Sequence, residues 1–281
     1  MAKAIPSTAV APRIAVRAGV ATPGSRALPE EVPVALSFGG TAQAVMMATP
    51  DDLEDFGIGF ALSEAIIRAP GDIVSKEIIE ADQGFDIQMQ LAEGLQAAFS
   101  ARRRKMAGPV GCGLCGIESI EEALRSLPDR KAVELTFRGD DVREAVRSLS
   151  MHQKLRAETG AVHAAGFYHP GMGMVCVRED VGRHNALDKL IGAVARSGAS
   201  ASDGAIVITS RVSVDMVQKA VIAGTGLLIA VSAPTALAVR TAEASGLTLV
   251  GIARGADFEI FTRPDRITTS RIDQGVESDV A

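Results

Sequence analysis

From about residue 160 onward the chain alternates short uncharged runs with amphipathic stretches, and nothing else in it restricts the fold so tightly. The runs at 205–209, 227–231 and 247–253 have strand length and strand composition. Those at 186–196, 214–223 and 235–244 place apolar residues at helical spacing. Strands and helices in this order build a layered α/β sheet with right-handed crossovers. Two more strands, 165–168 and 174–177, flank His169-Pro170-Gly171, and a last strand at 258–262 precedes a polar tail. Residues 220–239 carry no charge and are long enough for a membrane helix. Gly224, Gly226, Ser232 and Pro234 interrupt them, so the stretch reads as a helix end, a buried strand and the start of another helix. No membrane association is expected.

The first half follows a different pattern. Val32–Phe38 and 43–48 form a hairpin around Gly39 and Gly40. Thr49-Pro50-Asp51-Asp52 then opens a helix, with Leu53, Phe56, Phe60 and Ile67 on its apolar face, running to about Arg68. Strands near 73–80 and 85–91 follow, then a short helix at 117–127 and another capped by Asp140, with Val142, Val146 and Leu149 facing inward. The expected organisation is a disordered tail over 1–29, a smaller α+β domain over 30–150, an α/β domain over 151–265 and a polar tail over 266–281. Residues 1–29 hold four basic residues and no acid, without the apolar core of a secretory signal. The net charge of -5 and the absence of Trp give neither the field nor the stacking surface for nucleic acid.

Three cysteines do not make a disulfide scaffold, and the odd count suits a reducing, cytoplasmic setting. Cys112 and Cys115 stand in Gly111-Cys112-Gly113-Leu114-Cys115-Gly116. The glycines leave the backbone open around both sulfurs, and the helix at 117–127 puts them near a positive helix end. The run Arg102-Arg103-Arg104-Lys105 lies just upstream. Cations and a helix N-terminus favour the reactive thiolate. Three chemistries fit this spacing: sulfur transfer, a thiol–disulfide couple, and zinc binding completed by His163 or His184. The spacing alone does not choose among them. Cys176 alternates with Val175 and Val177 in a strand and reads as a buried, inert thiol.

A second constellation, Arg178-Glu179-Asp180-Val181-Gly182-Arg183-His184-Asn185, leaves a strand and enters a helix. The next strand ends in Thr209-Ser210-Arg211 and the last long one in Ala253-Arg254-Gly255. Ligands of open α/β sheets bind at the carboxyl ends of strands. Arg178, Arg183, Arg211 and Arg254 are therefore expected to hold phosphate or pyrophosphate, with His163 or His184 managing protons. No Walker loop is present.

At these motifs the chain resembles the formate dehydrogenase accessory sulfurtransferase family (FdhD/NarQ). The matching stretches are EEVPVAL from Glu30, DLEDFGIGFALSEAII from Asp52, GCGLCG from Gly111, TGAVHAA from Thr159, REDVGRHNALDK from Arg178, SRVSVDMVQKA from Ser210, and APTALAV with LTLVGIAR from Ala233. The resemblance implies a cytidine-deaminase-like three-layer α/β/α domain beside the smaller α+β domain, and a homodimer. It implies a sulfur carrier between a cysteine desulfurase and the Mo-bis-molybdopterin guanine dinucleotide cofactor, before that cofactor enters the formate dehydrogenase catalytic subunit. The cofactor is cargo, and no permanent cofactor or metal is expected. Cys112 would carry the persulfide and Cys115 would assist or receive sulfur. The cofactor-binding segment would fall on Ile252, Ala253, Arg254, Gly255, Ala256 and Asp257. His163 is followed by Ala164 and Ala165, so a deaminase's His-x-Glu is missing and deamination is disfavoured. A thiol–disulfide oxidoreductase and a noncatalytic cofactor chaperone remain the alternatives.

Overall fold

The computed structural model describes residues 5–104 and 127–269. Cys112, Cys115, Lys105 and the expected helix at 117–127, apart from Leu127, lie outside the described residues. Arg102–Arg104 end a helix, α2 (Glu93–Arg104).

The larger sheet has six strands in the order β13 (Asp257–Thr262), β12 (Thr248–Arg254), β11 (Leu227–Ala230), β10 (Ala205–Ile208), β8 (His163–His169) and β9 (Gly173–Asp180). β10, β11 and β12 run parallel, while β8 is antiparallel to β10. The three parallel runs are buried on both faces, which is why they read as uninterrupted apolar segments. Helices α5 (Arg183–Ser197), α6 (Val214–Ala223) and α7 (Ala236–Ser245) pack on one face through Leu187, Leu190, Val217, Val221, Ala238 and Ala242. Helix α3 (Gly139–Met151) covers the other through Val142, Ala145 and Leu149. The sheet therefore lies between two helical layers. Among the described residues no helix is long and apolar enough to cross a membrane.

The smaller sheet has the order β4 (Thr41–Ala48), β3 (Val32–Phe38), β6 (Gly84–Leu91) and β5 (Ile73–Ala81), with α1 (Leu53–Ser63) packed on it through Phe56 and Phe60. Helix α1 stops at Ser63, short of the expected Arg68, because Ala65 takes a positive φ of 54°. Thr49 does not cap α1. It bonds to the larger unit instead, donating its N–H to Asp180 and accepting from Val181 N and Lys189 Nζ.

Two expected boundaries are corrected. Residues 1–29 are not a disordered tail throughout: β1 (Thr8–Arg17) pairs antiparallel with β2 (Val20–Pro29). Ala18 and Gly19, both at positive φ, form the two-residue turn that suits the twist of such a ribbon. Arg26 donates to Thr159 O and Thr8 to Glu158, fastening the ribbon to α4 (Lys154–Thr159). The other correction is at 150/151. Helix α3 packs on the larger sheet, and β7 (Phe137–Arg138), which leads into it, pairs with β14 (Ile267–Thr268). The α/β unit thus begins near 137 and draws in the first residues of the expected polar tail, including buried Arg266.

The two units meet where α1 crosses α5. An added Cβ on Gly59 would fall 1.7 Å from Asp188 O, and one on Gly192 2.0 Å from Asp55 O. These glycines let the helix backbones touch. Gly192→Ala is expected to destabilise the chain by about 1–3 kcal/mol or more through forced separation of the helices, read as a lowered urea midpoint.

Candidate functional site

Because β8 runs against its neighbours, its first residue, His163, lies at the same end of the sheet as the last residues of β10, β11 and β12. Between this edge and α3 opens a cavity of about 890 Å³. His163, Thr209, Val231, Ala253, Arg254 and Gly255 line it from the sheet, and Arg143, Val146, Arg147, Leu149, Gln153 and Arg156 from the helical side.

The wall at 252–255 is irregular. The β12–β13 register shifts between Gly251 and Arg254, and Ile252 has a φ of 52°. A positive φ is unusual for a β-branched residue and marks backbone held by its surroundings. Here Ile252 N donates to Ser232 O at 3.2 Å. The bulge is followed by a two-residue turn, Gly255-Ala256, between paired Arg254 and Asp257. Ala253 is buried, while Ala256 and Asp257 are exposed beyond the strand end. Arg254 Nε donates to Val231 O at 3.0 Å, which holds an otherwise exposed guanidinium at the rim.

The charges divide into two groups. On α3, Arg143 pairs with Asp140, and Arg147 pairs with Glu144 at 2.7 Å. Among the described residues no carboxylate stands within ion-pairing distance of Arg156, Arg183, Arg211 or Arg254. Unpaired arginines gathered at one sheet end make an anion-attracting region.

His163 Nδ1 lies 3.5 Å from Thr209 Oγ1. Burial lowers its pKa from the ordinary 6.5, and the charges of Arg183 and Arg156 lower it further. Its imidazole is thus neutral at pH 7 and able to accept a proton. The folded chain binds this proton less readily than the unfolded one, so the residue opposes folding below about pH 6.5 and has no such effect above it. In an NMR titration His163 is expected to have its midpoint below 6.5. The midpoint should rise when pyrophosphate enters the cavity.

Two expected site residues prove to be committed elsewhere. Arg178 does not present a free fork to the strand ends: its Nε and Nη2 both donate to Asp55, at 2.8 and 2.6 Å. His184 Nε2 pairs with Asp215 at the start of α6. Burial raises the Asp215 carboxyl, but the hydrogen bond and charge of His184 outweigh it and hold the group below the usual carboxylate range. His184 is therefore a positioned imidazole rather than a free one. Cys176 packs against the core, and burial pushes its thiol up to about 11. The residue is half-buried rather than fully buried as expected.

Sequence reasoning missed Arg143, Arg147, Arg156, Gln153 and Asp215. Asp215 follows a strand end within SRVSVD, so the strand-end rule applied to Arg211 could have reached it. The α3 and α4 residues carry no such signal, because only the packing of α3 over the sheet brings them to the cavity.

Residues 29–268 match the family model described as the FdhD/NarQ family. The chain belongs to the FdhD/NarQ family. A relative called sulfur carrier protein FdhD in Agrobacterium fabrum is 57% identical over 255 residues, covering 91% of this chain and 94% of the relative. The protein of the same name in Brucella abortus is 58% identical over 246 residues, covering 88% and 91%. A crystal structure solved as a candidate formate dehydrogenase accessory protein, from Desulfotalea psychrophila, superposes with a TM-score of 0.74 at 25% identity. It covers 94% of this chain and 100% of that one. The mixed α/β fold is thus that of a relative, and the family match spans both Gly111–Gly116 and the residues of the strand-end cavity.

Proposed function

We propose that the chain is a sulfur carrier that matures formate dehydrogenase, acting as a sulfurtransferase through a persulfide on Cys112. A cysteine desulfurase presents its own persulfide. The Cys112 thiolate attacks the outer sulfur, the sulfur–sulfur bond of the donor breaks, and the desulfurase leaves as a thiolate. Cys115 assists or receives sulfur. The cargo, Mo-bis-molybdopterin guanine dinucleotide, is held at the strand ends while the Cys115 thiolate attacks Cys112 Sγ. That attack breaks the bond to the outer sulfur, leaves a Cys112–Cys115 disulfide for a cellular thiol to reduce, and releases the sulfur as sulfide to molybdenum. The cofactor then enters the formate dehydrogenase catalytic subunit. The carrier works in the cytoplasm as a homodimer.

The observation that carries this reading is the strand-end cavity within the family match. A dinucleotide brings pyrophosphate; Arg156 and Arg254 line the cavity, and they and the nearby Arg183 and Arg211 have no carboxylate partner among the described residues. The exposed turn at Gly255-Ala256 leaves room for phosphate beside the backbone. His163, neutral at pH 7, can take a proton at Nε2 or Nδ1 as the thiol chemistry proceeds.

The test is to purify the chain from cells that make formate dehydrogenase and to analyse what it releases on denaturation. One molybdenum for every two guanine nucleotides is expected. A chain that never carries either, although the cells contain active formate dehydrogenase, would contradict the cargo assignment.

A further inference from the structure

One face of the β1–β2 ribbon carries no charge. Side chains alternate across a strand, and the register sets Val10, Pro12, Ile14 and Val16 opposite small or apolar residues, Ala21 and Pro23 among them. Val10 is 75% exposed, Ile14 69% and Val16 68%. Arg13, Arg17 and Arg26 all belong to the other face. The chain's own body fastens the ribbon at its base, where Arg26 and Thr8 bond to α4, and leaves the uncharged face to solvent. A two-stranded ribbon is marginal in water by itself, and a contiguous exposed apolar strip marks an interaction surface. Its edges are poor templates for a further strand, because Pro12 and Pro23 have no N–H to donate. The contact is therefore one of faces.

The smaller sheet has a matching surface. Helix α1 covers one side of it through Phe56 and Phe60. On the other side Val45, Met47 and Ile79 are exposed. Their strands place them together, since Val45 and Asp86 both pair with Ala35, Ile79 pairs with Asp86, and Met47 is two residues on from Val45. The charges match as well. Residues 8–29 hold three arginines and no acid, whereas residues 30–91 hold twelve acids and two bases. Fields of opposite sign bring two such surfaces together and orient them.

Area decides for a second copy over a foreign protein. The ribbon face is about 30 Å long and 10 Å wide, so laying it on another surface buries about 600 Å² counting both sides. That is short of a stable interface, but two ribbons exchanged about a two-fold axis reach about 1,200 Å². We propose that the β1–β2 ribbon is an exchanged arm, whose uncharged face lies on the α1-free side of the smaller sheet of a second copy of this chain. The proposal rests on the homodimer of the proposed function and adds the surfaces that form it.

The test is sedimentation equilibrium of the full chain over a range of concentrations. The wild type is expected to be a dimer. Ile14→Glu/Val16→Glu on the ribbon, and separately Val45→Glu/Met47→Glu on the sheet, are each expected to weaken the dimer at least about 10²-fold, since every substitution acts twice. Val20→Glu, equally exposed but on the ribbon's basic face, is expected to leave the dimer within a few-fold. All the substituted side chains are exposed, and a far-UV circular dichroism spectrum like the wild type's shows that each variant is folded. A wild-type dimer that survives in both double variants would overturn the arm while leaving the homodimer standing. Equal weakening by Val20→Glu would overturn the choice of face. A wild type that stays monomeric throughout would bring down the homodimer, and the arm with it.

Discussion

Cys112→Ala is expected to leave cells without usable formate dehydrogenase when it replaces the wild-type chain, with activity lowered at least roughly 10²-fold. The expectation follows from the proposed relay, in which sulfur is covalently bound to this residue between donor and cofactor. A methyl side chain can neither attack the donor's outer sulfur nor hold it. The substitution leaves Arg156, Arg183, Arg211 and Arg254 unchanged, so the variant should bind pyrophosphate as the wild type does. Activity assayed in a strain lacking its own carrier, with the variant's abundance checked alongside, gives the measurement. Activity within a few-fold of wild type would favour the noncatalytic chaperone.

The largest effect on stability is expected at Lys189. Its side chain is wholly buried, paired with equally buried Asp180 at 2.7 Å and donating to Thr49 O at 2.9 Å. Asp180 also accepts from Gly182 N and from Asn185 Nδ2, and that same amide donates to Met47 O. The network ties the end of β4 to the start of α5, and so the smaller sheet to the larger unit. Lys189→Met would leave the Asp180 carboxylate buried without its cation, at a cost of about 3–5 kcal/mol. For a chain of this size that lowers Tm by roughly 6–20 °C. In Asp180→Asn/Lys189→Met, which removes both charges, much of the loss should return. Thermal unfolding followed by circular dichroism distinguishes this from simple loss of side-chain packing, which the double variant would not restore.

How far the sequence could be read differs from element to element. Alternation after residue 160 anticipates β10, β11, β12 and the helices between them to within a few residues, because buried parallel strands and amphipathic helices have such different periods. The β1–β2 ribbon escapes because it has little buried surface of its own, so its pairing depends on a turn and on anchors in α4. Periodicity reveals α3 but not the sheet it covers, which is why the domain boundary at 150 is displaced. At the site, the density of ionisable residues in 178–185 is visible in the sequence, but the partners of Arg178 and His184 are not. Arg178 is claimed by Asp55, 123 residues earlier in the chain, and His184 by Asp215, at the start of the next helix. Ion-pair partners so distant in sequence leave no trace in local spacing.

The persulfide on Cys112 is tested most directly by intact-mass analysis of the full chain after incubation with a cysteine desulfurase and free cysteine. The wild type should gain the mass of one sulfur atom, lose it again on treatment with a thiol reductant, and show no gain in Cys112→Ala. A reductant-labile gain that persists in Cys112→Ala, or a wild type that stays unmodified beside an active desulfurase, would contradict it.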